Sequence, residues 1–83
     1  MSSKENKSIK LHIRDEDKCG KYSNVLAVSI NSQEVVLDFA YRMPQASDDV
    51  HVVSRVNMSH TTARQIVTTL QNSLLDFENK KKK

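Results

Sequence analysis

Apolar and polar positions alternate with period two through most of the chain and change to a helical period only towards its end. The first alternating stretch, "IKLHI" at 9–13, puts Ile9, Leu11 and Ile13 on one side and Lys10 and His12 on the other, the pattern of a short half-buried strand. A charged connection, "RDEDKCGK", carries the one glycine, Gly20. From Tyr22 to Ile30 the residues Tyr22, Leu26, Val28 and Ile30 share one face, and Ser23, Val25, Ala27 and Ser29 the other. "NSQE" then reads as a four-residue loop around a type I turn. Glu34 to Met43 follows as a strand with Val35, Leu37, Phe39 and Tyr41 inward and Val36, Asp38, Ala40 and Arg42 outward, ended by Pro44, which cannot donate to a ladder.

After the polar loop "QASDD", Val50 to Met58 alternates again, with Val50, Val52, Ser54, Val56 and Met58 inward and His51, Val53, Arg55 and Asn57 outward. Ser59 is a natural helix N-cap. Beyond it Ala63, Val67, Leu70, Leu74 and Phe77 recur at spacings of four and three, with Ile66 alongside, which defines an amphipathic helix and its core-facing stripe. The predicted fold is α+β. A four-stranded antiparallel meander (about 9–13, 22–30, 34–43 and 50–58) is followed by one C-terminal helix (about 60–78) that covers its inward face. The organisation is a disordered arm at 1–8, one domain at 9–79 and a lysine tail at 80–83.

Asp38 interrupts the run "VVLDFAYRMP" and needs a partner if its surroundings are dry, because an unpaired buried carboxylate is costly. Parity supplies one. Inward residues are odd-numbered in the third strand and even-numbered in the fourth, so the register that sets Leu37 opposite Val56 also sets Asp38 opposite Arg55. Directly opposed residues lie about 4.5–5.5 Å apart at Cβ, within reach of an arginine fork on a carboxylate. The pair is expected to fix strand register or subunit pairing. The rest of that outward face holds Val25, Ala27, Val36, Ala40 and Val53, too apolar for a water-facing surface. Together with Asp38 and Arg55 these residues are the candidate interface or binding face.

Size points the same way. With 83 residues, a single core is only marginally sufficient, and oligomerisation is a common remedy. A dimer or tetramer is expected. No apolar run approaches the roughly 20 residues of a membrane span, and "MSSKENKSIK" lacks the apolar core of a secretory signal, so cytoplasmic placement without membrane contact is expected. The net charge of +3 is outweighed by the four lysines at 80–83, which leaves a nearly neutral body. A nucleic-acid-associated protein that uses this tail with Arg14, Lys18 and Lys21 is the alternative reading, and it requires steep salt dependence.

The sequence argues against an enzyme. Cys19 is the one cysteine and has no assigned base. His12, His51 and His60 lie on separate elements without zinc-ligand spacing, so no metal is expected. No phosphate-loop motif is present and no cofactor is expected. Asp48 and Asp49 are read as loop formers.

Taken in order, "YSN", "VVLDF", "MP", "VVSRV" and the "AR…L…N…FE" spacing of the helix resemble a small bacterial and archaeal family of unknown function, DUF3467, from about Gly20 to Glu78. Tyr22, Ser23 and Asn24 match the start of the family's long strand, Leu37, Asp38 and Phe39 its strand core, Ser54 and Arg55 its final strand, and Ala63, Leu70, Asn72 and Phe77 its helix. At the helix start, where the family usually shows a threonine and a proline, this chain has Ser59, His60 and Thr61. The resemblance implies no activity. Its layout is similar to that of SecB-type export chaperones, which assemble into dimers and tetramers and hold unfolded polypeptide in apolar grooves. The analogy implies an oligomeric module that binds protein or peptide segments.

Overall fold

The computed structural model describes residues 9–45 and 48–81. The arm expected at 1–8 and the last two lysines of the tail lie outside them. The described residues form an α+β structure with strands β1 (Val25–Ile30), β2 (Val35–Arg42) and β3 (Val50–Met58) and one C-terminal helix, α1 (His60–Lys81). The sheet is antiparallel with order β1-β2-β3.

Three strands are present, not four. Residues 9–13 pair with no strand, and Leu11 is 92% exposed. Alternation over five residues states which side would be buried but supplies no partner edge. The chain instead tightens into a 3₁₀ turn at Asp15–Asp17, held by Arg14–Asp17 (2.8 Å) and Lys18–Asp15 (3.0 Å) ion pairs. Gly20 follows at φ 72°, a left-handed conformation that glycine adopts without a Cβ penalty.

The strand predicted from Tyr22 begins at Val25, because Ser23 and Asn24 extend the ladder with side chains. The Asn24 amide donates to Arg42 O (3.0 Å) and its Oδ1 accepts from Arg42 N (2.9 Å), while the Asn24 N–H and the Ser23 hydroxyl both reach Ala40 O (3.0 and 2.9 Å). Tyr22 packs edge-on against Tyr41. At the other end of β1, Asn31 Oδ1 accepts from Gln33 N and Glu34 N (2.8 and 2.9 Å), the side-chain-closed turn that asparagine favours.

In β1 and β2 the pairing follows parity: Leu26 faces Phe39, Val28 faces Leu37 and Ile30 faces Val35. In β3 parity breaks. A bulge between the pairs Phe39↔Ser54 and Ala40↔Val52 leaves Val53 without a directly opposed residue. The extra residue reverses the faces beyond it. Val50 and Val52, expected inward, therefore lie opposite Arg42 and Ala40 on the Asp38 face, and His51 lies opposite Tyr41.

The helix begins where Ser59 predicts it, with Ser59 Oγ accepting from Thr62 N (3.1 Å), and it runs to Lys81, past the expected end. It does not cover the sheet. His60 Nε2 meets Asn31 O at 2.8 Å, and Ala63 and Arg64 lie beside Ile30 and Val35, but no helical residue is buried. Ser59 is the whole connection, so β3 and this anchor together set the direction in which the helix leaves the sheet. The opposite end of the same face, near Phe39, is approached by residues 16–23. The radius of gyration, 15.8 Å, exceeds the roughly 12 Å of a compact chain of this length. Among the described residues, Val35 and Ala40 are the buried apolar ones.

Asn24→Ala removes both side-chain bonds to Arg42 and should lower unfolding stability by about 1–2 kcal/mol. A urea titration that shows no change would mean that Asn24 does not hold the start of β1.

Candidate functional site

Three surfaces are available for contact. The first is the sheet face that carries Asp38, built from alternate residues of all three strands: Val25, Ala27 and Ser29 of β1, Val36, Asp38 and Ala40 of β2, and Val52, Arg55 and Asn57 of β3. At its centre Arg55 Nε and Nη2 donate to Asp38 Oδ1 (2.6 Å) and Oδ2 (3.0 Å), a bidentate fork. The Asp38 side chain is 14% exposed and the Arg55 side chain 65%, so the arginine lies over the carboxylate as a lid. The hydrogen bond from Arg55 and its charge hold the Asp38 carboxyl below the ordinary aspartate value, against a smaller opposing effect of desolvation. Val53 does not belong to this face. Because of the bulge it lines a concavity on the other side with Phe39, Ser54 and Val56, and Val52 takes the place opposite Ala40. No alternation in the sequence betrays that bulge.

The second surface is the opposite face. Leu26, Val28 and Ile30 are 54%, 50% and 67% exposed there, beside Leu37 and Val56. Towards one end Glu16, Asp17, Gly20, Lys21 and Ser23 form the rim of the concavity, about 410 Å³, whose floor is Phe39, Val53 and Val56. This face was expected to be the covered interior. The helix leaves it open.

The third surface is the helix stripe. Ala63, closest to the sheet, is half-buried, and Ile66, Val67, Leu70, Leu74 and Phe77 are exposed. Leu75, outside the predicted stripe, is exposed as well. Lys81 reaches back over the Phe77 ring at 5.6 Å, a cation–π contact in the last turn. The residues of the alternative basic surface are placed differently. Arg14 pairs with Glu16 and Asp17, and Lys18 with Asp15, so their charges are locally matched. Among the described residues no cluster of three potential metal ligands occurs, Cys19 is exposed, and no helix is long and apolar enough to cross a membrane.

Layout and motifs define a small α+β family with an antiparallel sheet and a C-terminal helix. The family model described as "Protein of unknown function (DUF3467)" matches residues 1–82, and the chain belongs to that family. No curated protein and no solved structure gave a significant match.

The depressed Asp38 value gives the pH dependence its sign. A carboxyl that is more acidic in the folded chain stabilises it above the ordinary aspartate pKa, and that contribution is lost as the pH falls through the folded value. Asp38→Asn should therefore be less stable than the parent at pH 7, and the gap should close below about pH 4. Urea midpoints for both proteins from pH 7 downwards check it; a gap that does not shrink as the pH falls below the ordinary aspartate value would contradict it.

Proposed function

We propose that the protein is a homo-oligomeric module that binds extended segments of other proteins through apolar surface. The observation that carries this reading is the imbalance of burial: two apolar residues are buried, whereas sixteen large apolar side chains of the described chain are exposed. Isolated surface hydrophobics are ordinary, but contiguous patches mark contact surfaces. Here they are contiguous. Leu26, Val28 and Val56, with the half-buried Leu37 between them, form one sheet face, and Ile66, Leu70, Leu74 and Phe77 run along one side of the helix.

A sheet of three strands needs a second layer for its stability, and among the described residues the helix meets it through its first turn alone and buries none of its residues. Another copy supplies both missing complements, a helix stripe for the sheet and a sheet for the stripe. Of the two faces, the one with Leu26 and Val28 suits this role better than the Asp38 face. Asp38 and Arg55 set a charge pair in the middle of the latter, and its other members include the small residues Ala27, Ser29 and Ala40. That face is left to a more polar contact, with Val25, Val36 and Val52 around the pair.

Within the assembly, the concavity floored by Phe39, Val53 and Val56 is a place for an apolar side chain of a bound segment. SecB-type chaperones are the nearest functional analogy, taken at the level of layout. No catalytic step and no cofactor enter the proposal.

The test pairs mass with binding. The parent should be a dimer or larger by light scattering and should bind a permanently unfolded, fluorescently labelled polypeptide saturably. Leu70→Asp/Leu74→Asp, which breaks the pairing of helix stripe with sheet face, should bind the unfolded polypeptide less and unfold at a lower urea concentration than the parent. A monomeric parent without affinity for unfolded chains would overturn the reading.

A further inference from the structure

The outer edge of β1 is the least protected part of the molecule. Val25–Ile30 reads "VLAVSI", without charge, proline or glycine, and among the described residues nothing pairs with its outer side. Natural sheets guard such edges with charges, bulges or covering segments. β3, the other edge, has two of these devices, the bulge at Val53 and the side chains of His51, Arg55 and Asn57. β1 has neither.

Hydrogen-bond alternation shows which residues look outward. The Asn31 N–H donates to Glu34 O at 3.1 Å and continues the β1–β2 ladder. In an antiparallel pair, hydrogen-bonded positions alternate. Val25, Ala27 and Ser29 therefore turn their backbone groups to β2, and Leu26, Val28 and Ile30 turn theirs to the free edge. These same three residues carry exposed side chains on the apolar sheet face. A partner for this edge has to satisfy backbone groups and apolar side chains together.

We infer that the edge is filled by β1 of a second copy, antiparallel about a two-fold axis at Val28, to make one six-stranded sheet. This rests on the oligomeric reading above and adds a second contact, the strand edge, to the pairing of helix stripe with sheet face proposed there. A two-fold contact uses the same patch on both subunits and closes on itself, and an uncharged strand meets its own copy without repulsion. Parity limits the register, because outward residues, all even-numbered, must pair with even-numbered residues of the partner. The pairing of Val28 with Val28 and of Leu26 with Ile30 uses every free outward group and forms about six backbone hydrogen bonds between chains. The neighbouring even register would bring in Asn24, whose N–H is already given to Ala40 O. The chosen register also joins the two Leu26–Val28–Ile30 patches into one apolar surface.

Cysteine scanning in a Cys19→Ser background tests the register. Hydrogen-bonded partners lie about 5.5 Å apart at Cα, within disulfide range. Under mild oxidation Val28→Cys should convert to a disulfide dimer. Leu26→Cys and Ile30→Cys should remain uncross-linked when oxidised separately, and should form a heterodimer when mixed and allowed to exchange. Light scattering of the parent runs alongside. A dimer in which Val28→Cys stays reduced and the Leu26→Cys/Ile30→Cys mixture does not cross-link would overturn the edge pairing while leaving the oligomeric reading intact. A monomeric parent would overturn both and leave the edge to a strand of a different protein.

Discussion

A single layer of β-sheet hides little from water, and this structure depends on that constraint. Three strands have two broad faces. Among the described residues, those that reach the more apolar face lie at its corners, the first turn of α1 at Ile30 and Val35 and the segment before β1 near Phe39. The rest follows from this shortage. Val35 is buried where the helix begins, Leu26 and Val28 are not, and the helix stripe has no partner among the described residues. Hydrophobic burial is the main favourable contribution to folding, so a chain that buries so little alone is expected to complete its core by association.

The contacts that do form within the chain are polar and local. Ser59 caps the helix, His60 ties it to the β1–β2 turn, Asn31 closes that turn, and Ser23 and Asn24 secure the start of β1 on Ala40 and Arg42. The Arg55–Asp38 fork adds a cross-strand lock at mid-sheet. These groups settle where each element starts and which residues face each other. They contribute more to register than to bulk stability, since solvent-exposed polar contacts are each worth little. The outcome is a well-specified frame with an unfinished interior.

Much of this was legible in the sequence, and the gaps have physical causes. Period-two alternation locates β1 and β2 within a few residues, and the four-three spacing locates α1, because each pattern reports which side would be buried. Parity, with the register that sets Leu37 opposite Val56, places Asp38 opposite Arg55. The same parity misassigns Val50, Val52 and Val53, since a bulge adds one residue without any change in composition. Ile9, Leu11 and Ile13 alternate like a strand but pair with none of the three strands, because alternation names the side that would be buried and not the strand that would be joined. Alternation also cannot say what covers a face, so a helix in the same chain looked like the natural lid for Leu37 and Phe39. Tyr22, Ser23 and Asn24 looked like strand residues, whereas the side chains of Ser23 and Asn24 replace backbone partners there.

The central claim, that folding is completed by association, is tested most directly by the dependence of unfolding on protein concentration. For a chain that folds as an assembly, mass action raises the urea midpoint as concentration rises. Denaturation followed by circular dichroism over about a hundredfold range of concentration should show the midpoint climbing steadily. A cooperative transition with one midpoint at every concentration would mean that the single chain is stable by itself, and would contradict the account.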